Sequence, residues 1–432
     1  MAWLSTSRTD ADRPFNRAFE QLGVGAALMV VALLAAIPSV SVAAPKPVKV
    51  STAADIWAAT WEASPEAGST PVVLANQTVR QVARISLGGI FIRARLSNEF
   101  GDRPLTIATA HVALAVGAGA GTQPGTDRAL TFGGRPSVTI PPHARVLSDP
   151  VSLTVPSLAS VAVSLYLPGP ADVVTQNVFS MATSYIASGD QTAAADLPGA
   201  QTITHRVILT GLDISAKTGT KVVVALGDSL TGGFGSTIDL NHRWPDHLAE
   251  RLIAQTNLPP MAVVNAGIGG NRLLHDFFGP NAMSRFDRDV LAQPSVGYLI
   301  VLIGINDFGL PGGRNLPEEE VSADDVIAGY KQLIVQANGH GIKVFFGTMP
   351  PFAPLPQRPG YYSDAAEMKR EAVNNWIRTN KDAQGYIDFE AALRDPKTPN
   401  RMLPIYDSAD HLDPNDAGYQ AMSDAVQMRL FQ

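Results

Sequence analysis

The chain has 432 residues, 45% of them hydrophobic and 17% charged, with a net charge of −6 and no cysteine. That length and composition suit a globular protein with two cores, and the absence of a long basic run argues against nucleic acid as a partner. The missing cysteine excludes disulfides, thiolate metal sites and a cysteine nucleophile together.

Arg8, Arg13 and Arg17 precede an apolar run from Val24 to Ile37, and Ser41, Val42, Ala43 and Ala44 follow it. A basic start, a short apolar run and small residues form the pattern of an export signal over residues 1–44, cleaved after Ala43 or Ala44. The protein is therefore expected to be periplasmic or extracellular. Membrane attachment is expected only if the segment stays uncleaved as an anchor.

From about Val48 to Leu212 the chain reads as β structure. Thr78–Leu87 and Ile90–Leu96 alternate apolar and polar residues, and shorter runs follow at Thr106–Leu114, Val138–Ile140, Val151–Val155 and Val161–Tyr166. Period-two alternation indicates strands with one buried face, and the frequent Pro and Gly suit a jelly-roll-like β-sandwich over residues 45–215. From residue 216 the texture changes. Val222–Leu226, Ala262–Val264, Tyr298–Ile303 and Val344–Thr348 are continuous apolar runs, as strands covered on both faces require. Helical patterns at Trp244–Ala254, Val326–Asn338 and Ala365–Asn380 alternate with them. This order predicts an α/β domain over 216–432: a parallel sheet between helices, with its site at the carboxyl ends of the strands.

Strand Val222–Leu226 runs into Gly227-Asp228-Ser229-Leu230, and a serine on a tight turn there is well placed as a nucleophile. By itself such a segment is most often simply a turn. Two more segments follow apolar runs: Val264-Asn265-Ala266-Gly267-Ile268-Gly269-Gly270-Asn271 and Gly304-Ile305-Asn306-Asp307. In this order the three resemble the conserved blocks of the GDSL (SGNH) hydrolase family. Arg243-Trp244-Pro245-Asp246, Leu96–Gly101 and Gly269–Leu274 resemble a bacterial branch with a β-rich N-terminal domain.

The resemblance implies a flavodoxin-like three-layer α/β/α domain and a carboxylic ester hydrolase acting through an acyl-enzyme, without a metal or organic cofactor. The implied substrate is a small-molecule or carbohydrate-linked ester. Ser229 would be the nucleophile and one oxyanion donor. Gly270 would be the second donor, with Gly267 and Gly269 as close competitors, and Asn306 the third. Preorganised donors of this kind lower an acyl-transfer barrier by about 2.7–4 kcal/mol each.

The family's last block, D-x-x-H-P, is altered. Here Asp407-Ser408-Ala409-Asp410-His411-Leu412-Asp413-Pro414 places Asp410 at the acid position and Asp413 where histidine should stand. Three readings stay open. His411 reaches Ser229 by loop adjustment, with Asp407 or Asp413 as partner. Asp413 is itself the base, helped by crowding against Asp410. Or the site is weakened or inactive and binds an ester or glycan. His242, His247 and His275 offer no metal spacing, with His275 a remote candidate base. Phe277, Phe278, Phe308 and the Pro350–Tyr362 stretch are candidates to rim the pocket, though a plain connecting loop is an equal reading of the latter.

Overall fold

In the computed structural model, residues 55–432 are described; the segment expected to be an export signal and the start of the β region lie outside the described residues. The β-rich part is built from antiparallel sheets. In the first, Leu209–Lys217 pairs with Asp55–Glu62 on one side and Gly89–Ser97 on the other, and Gly89–Ser97 carries Val151–Val155 and Arg145–Leu147. A six-stranded sheet is centred on Gln77–Arg84 and Ser160–Leu167, and a three-stranded one joins Arg206–Val207, Ala171–Asn177 and Glu66–Leu74. The run read as one strand at Thr106–Leu114 is two, Leu105–Ile107 and Thr109–Leu114, in different sheets. The chain breaks between them at Ala108, whose N–H turns to Tyr166 O at 3.0 Å.

The turn closed by Thr220 N–H on Lys217 O leads into the parallel sheet. Its strand order is Met261–Gly267, Lys221–Gly227, Val296–Leu302, Lys343–Gly347, Gly385–Ile387, which in order of appearance is 2-1-3-4-5. The order switches between Lys221–Gly227 and Val296–Leu302, which opens a crevice at their carboxyl ends, where ligands bind in such sheets. Trp244–Ile253 buries the predicted stripe of Trp244, Leu248 and Leu252. Ser322 and Asp325 form a capping box that starts Ala323–Gly339, and Ser363 caps Asp364–Thr379.

The described β-rich and α/β parts belong to one compact unit. Buried polar contacts join them. Val263 N–H donates to Ser86 Oγ at 3.0 Å, and Gln293 Nε2 donates to Glu62 Oε1 at 2.7 Å. Arg285, almost fully buried, donates to Gly227 O and Ala266 O at 2.8 Å each and to Asn271 Oδ1 at 3.0 Å. A single guanidinium thus ties the ends of two neighbouring strands to the loop beyond them. Asp289 balances its charge at 2.9 Å, which a buried cation requires.

Candidate active site

Strand Lys221–Gly227 delivers Ser229 into the first turn of a short helix capped by Asp228, whose carboxylate accepts Leu230 N–H at 3.0 Å. Gly227 is needed there, since a Cβ would lie 2.2 Å from Thr231 Oγ1 and 2.4 Å from Leu302 O. Ser229 opens onto a cavity of about 430 Å³ whose lining includes Gly269, Gly270, Asn306 and Asp413.

The second loop brings two of the three candidate glycines to the cavity. Gly269 and Gly270 line the cavity, whereas Gly267 packs beneath it against Gly232. Gly270 has φ +75°, and a Cβ on it would fall 2.5 Å from the Phe278 ring. Its N–H has no partner among the described residues. Gly270→Ala is expected to cost about 1–3 kcal/mol from the left-handed backbone alone. A denaturant titration would read this as a lower midpoint.

Asn306 begins the helix Ile305–Arg314. Tyr361 O–H donates to its Oδ1 at 2.8 Å, and its Nδ2 donates to Asn271 O at 3.0 Å. With the amide fixed at both ends, the second Nδ2 hydrogen is left for a ligand. Asp307 accepts Leu273 and Leu274 N–H at 2.7 and 3.0 Å, which clamps the glycine loop to this helix. Burial raises the Asp307 carboxyl to about 6 against those hydrogen bonds. Asp228 is raised to about 7, chiefly by burial, with Asp307 adding to the rise.

The Asp407–Pro414 loop separates the candidate acid–base groups. Asp413 is buried and faces Ser229 within the cavity. Burial holds its carboxyl well above the usual range and Asp410 pushes it further, while the Ser229 hydroxyl favours the ionised form. Asp413 Oδ1 and Asp410 Oδ2 are buried with no N–H donor on them, and the two carboxyls interact with each other. Asp410 Oδ1 accepts Leu412 and Asp413 N–H at 2.9 and 2.8 Å, shaping the loop.

His411 is not in this cavity. Its Nδ1 lies 2.6 Å from Asp407 Oδ2, its N–H donates to Asp407 Oδ1 at 3.1 Å, and its carbonyl accepts Ala353 N–H. For His411 to serve Ser229, the Asp407 contacts and the Asp410 turn would both have to break. Asp407 is its partner, as one reading had it, but at the wrong place. His275 also lies outside the cavity lining, and His242 is held by Asp416 at 2.8 Å. Among the described residues no group of histidine and carboxylate side chains is placed to hold a metal.

Phe278 and Tyr361 line the cavity as foreseen, whereas Phe308 and Phe352 are core residues. Among the lining residues that carried no sequence signal are Phe179 and Arg314. Phe179 comes from the β-rich part and packs edge-on against Phe234 at 5.6 Å. Its segment is latched to the α/β part by Thr183, whose N–H and hydroxyl both donate to Asp239 at 2.6 Å.

Residues 225–421 match the GDSL-like lipase/acylhydrolase family. No curated protein matches the chain. Similar solved structures include the aryl esterase of M. smegmatis (18% identity, 49% of this chain and 100% of that one, TM-score 0.39). A mutant of the acetyl-xylooligosaccharide esterase Axe2 from Geobacillus Stearmophilus is 21% identical over 48% of this chain and 91% of that one (TM-score 0.37). A GDSL-like lipase from Bacteroides thetaiotaomicron is 19% identical over 49% and 87% (TM-score 0.37).

Proposed function

Over residues 225–421 the chain belongs to the GDSL-like lipase/acylhydrolase family and is a carboxylic ester hydrolase, and from that premise we propose that Ser229 is its nucleophile and Asp413 its base. The observation that carries this reading is the placement of Asp413 beside Ser229, with His411 bound to Asp407 outside the cavity. Ser229 Oγ attacks the acyl carbon as its proton passes to the Asp413 carboxylate. The carbonyl oxygen gains charge and is held by the N–H groups of Ser229 and Gly270 and by Asn306 Nδ2. The C–O bond to the alcohol breaks, the alcohol takes the proton from Asp413, and water repeats the cycle on the acyl-enzyme.

The medium-sized cavity with aromatic walls supports short-chain or carbohydrate-linked esters as substrates. The basic and apolar pattern of residues 1–44 supports export. The antiparallel sheets of residues 55–217 support a jelly-roll-like packing domain, which lends Phe179 to the cavity wall.

p-Nitrophenyl acetate hydrolysis by the wild type and by Asp413→His tests the assignment. An imidazole has an ordinary pKa near 6.5, and Asp410 Oδ2, with no N–H donor on it, is an acceptor for its second N–H. Asp413→His is therefore expected to raise the rate at pH 7 about tenfold or more over a wild type that works best at higher pH. A wild type inert at every pH beside an active Asp413→His would sink Asp413 as a working base.

A further inference from the structure

The lining of the Ser229 cavity includes two cations. Arg314 and Arg358 both line it, and the one carboxyl in the lining is the buried Asp413. Other buried or half-buried arginines of the α/β part are paired: Arg272 with Glu319 at 2.6 Å, Arg370 with Glu367 at 2.5 Å, Arg378 with Asp388 at 2.7 Å. Neither Arg314 nor Arg358 has a carboxylate within ion-pair distance among the described residues. On a chain of net charge −6, two unpaired cations at one opening make a local positive focus.

Glycine packs the two segments that carry them against each other. On helix Ile305–Arg314, a Cβ at Gly309 would meet the Tyr361 ring at 2.4 Å, and one at Gly312 would meet Gly360 O at 2.3 Å. The bare backbone lets the 355–361 loop lie directly on the helix that ends in Arg314. Turns closed by Arg358 N–H on Leu355 O (3.0 Å) and Tyr361 N–H on Arg358 O (3.1 Å) fix the loop. The Arg314 guanidinium lies over Phe277 and Phe278, at 5.5 and 5.6 Å from the ring centres. A helix C-terminus accounts for a cation at 314. It does not account for a second one at 358 facing the same cavity.

We propose that this cavity selects esters bearing a carboxylate away from the scissile bond, and that Arg314 and Arg358 bind that carboxylate. The proposal rests on Ser229 being the nucleophile of this cavity. Guanidiniums suit the task because their planar N–H forks match a carboxylate's two oxygens.

The test compares matched anionic and neutral esters with the whole protein. For an anion on the acyl side, mono-p-nitrophenyl adipate is set against p-nitrophenyl hexanoate. For an anion on the leaving side, 4-acetoxybenzoate is set against its methyl ester. Each kcat/KM is divided by the ester's hydroxide rate. In at least one arm the anionic ester is expected to be favoured roughly tenfold or more, mainly through KM, with the preference shrinking as salt rises. In R314Q/R358Q the anionic-to-neutral ratio should fall towards one, whereas R314K/R358K keeps most of it. A ratio near one in both arms, or a ratio unmoved in R314Q/R358Q with an unchanged Tm, would overturn the proposal. Neutral-ester turnover that survives in Ser229→Ala would instead overturn the nucleophile assignment on which it rests.

Discussion

Ser229→Ala is expected to lower kcat/KM for p-nitrophenyl acetate by roughly 10³-fold or more, leaving only what oxyanion donors and binding supply without a nucleophile. The argument is geometric. The serine stands at the carboxyl end of strand Lys221–Gly227, its helix is capped by Asp228, and Gly270 and Asn306 flank the same cavity. Those donors are held by groups the substitution leaves in place: Tyr361 and Asn271 on the Asn306 amide, and Asp307 on the loop that carries Gly270. The loss should therefore fall on kcat, with substrate binding little altered. Mass spectrometry after rapid quenching should find an acylated protein only when Ser229 is present. Acylation of Ser229→Ala at an unchanged rate would place the nucleophile elsewhere.

Much of this arrangement was legible in the chain, and the exceptions have physical causes. Trp244, Leu248 and Leu252 announced their helix because spacing and burial agree. Helix Ile305–Arg314 gave no such sign: Gly309, Pro311, Gly312 and Gly313 argue against a helix, yet these glycines make room for Tyr361 and Gly360. Leu209–Lys217 escaped notice because it is buried on both faces between two partner strands, so its pattern does not alternate. Gly385–Ile387 is only three residues long. The loops carrying Ser229, Gly270 and Asn306 are legible in the sequence, and the three residues line one cavity. The neighbour of the serine stood as one of three readings, because D-x-x-D places two carboxyls in a motif and the side-chain directions bring Asp413 to the cavity. Asp407 holds His411 with both backbone and ring contacts. Phe179 was out of reach of any local pattern, being joined to its site by the latch between Thr183 and Asp239.

Asp413→Asn should separate catalysis from stability, moving the two in opposite directions. Asparagine keeps the shape of the side chain but cannot take the serine proton, so the rate should fall about 10²–10⁴-fold, the usual worth of a general base. Stability should change the other way. A carboxyl whose pKa is raised on folding binds more protons in the native than in the unfolded state between its two pKa values. Its contribution therefore declines as pH climbs from the unfolded value near 4 through the raised native value. Asp413 is such a group, buried with no N–H donor on Oδ1 and Asp410 beside it, and Asp228, raised to about 7, declines over the same range. Replacing Asp413 by a neutral amide removes its share of that penalty. Tm for Asp413→Asn should exceed the wild-type value at pH 8, and the gap should close towards about pH 4, where the carboxyl is protonated in both states. Wild-type activity should rise with pH over the range in which its stability declines, because the ionised Asp413 that accepts the proton is also the form that burial disfavours. A variant both inactive and less stable at pH 8 would mean that Asp413 holds the loop together and serves the serine only through its shape. A variant as active as the wild type would remove Asp413 from the proton path.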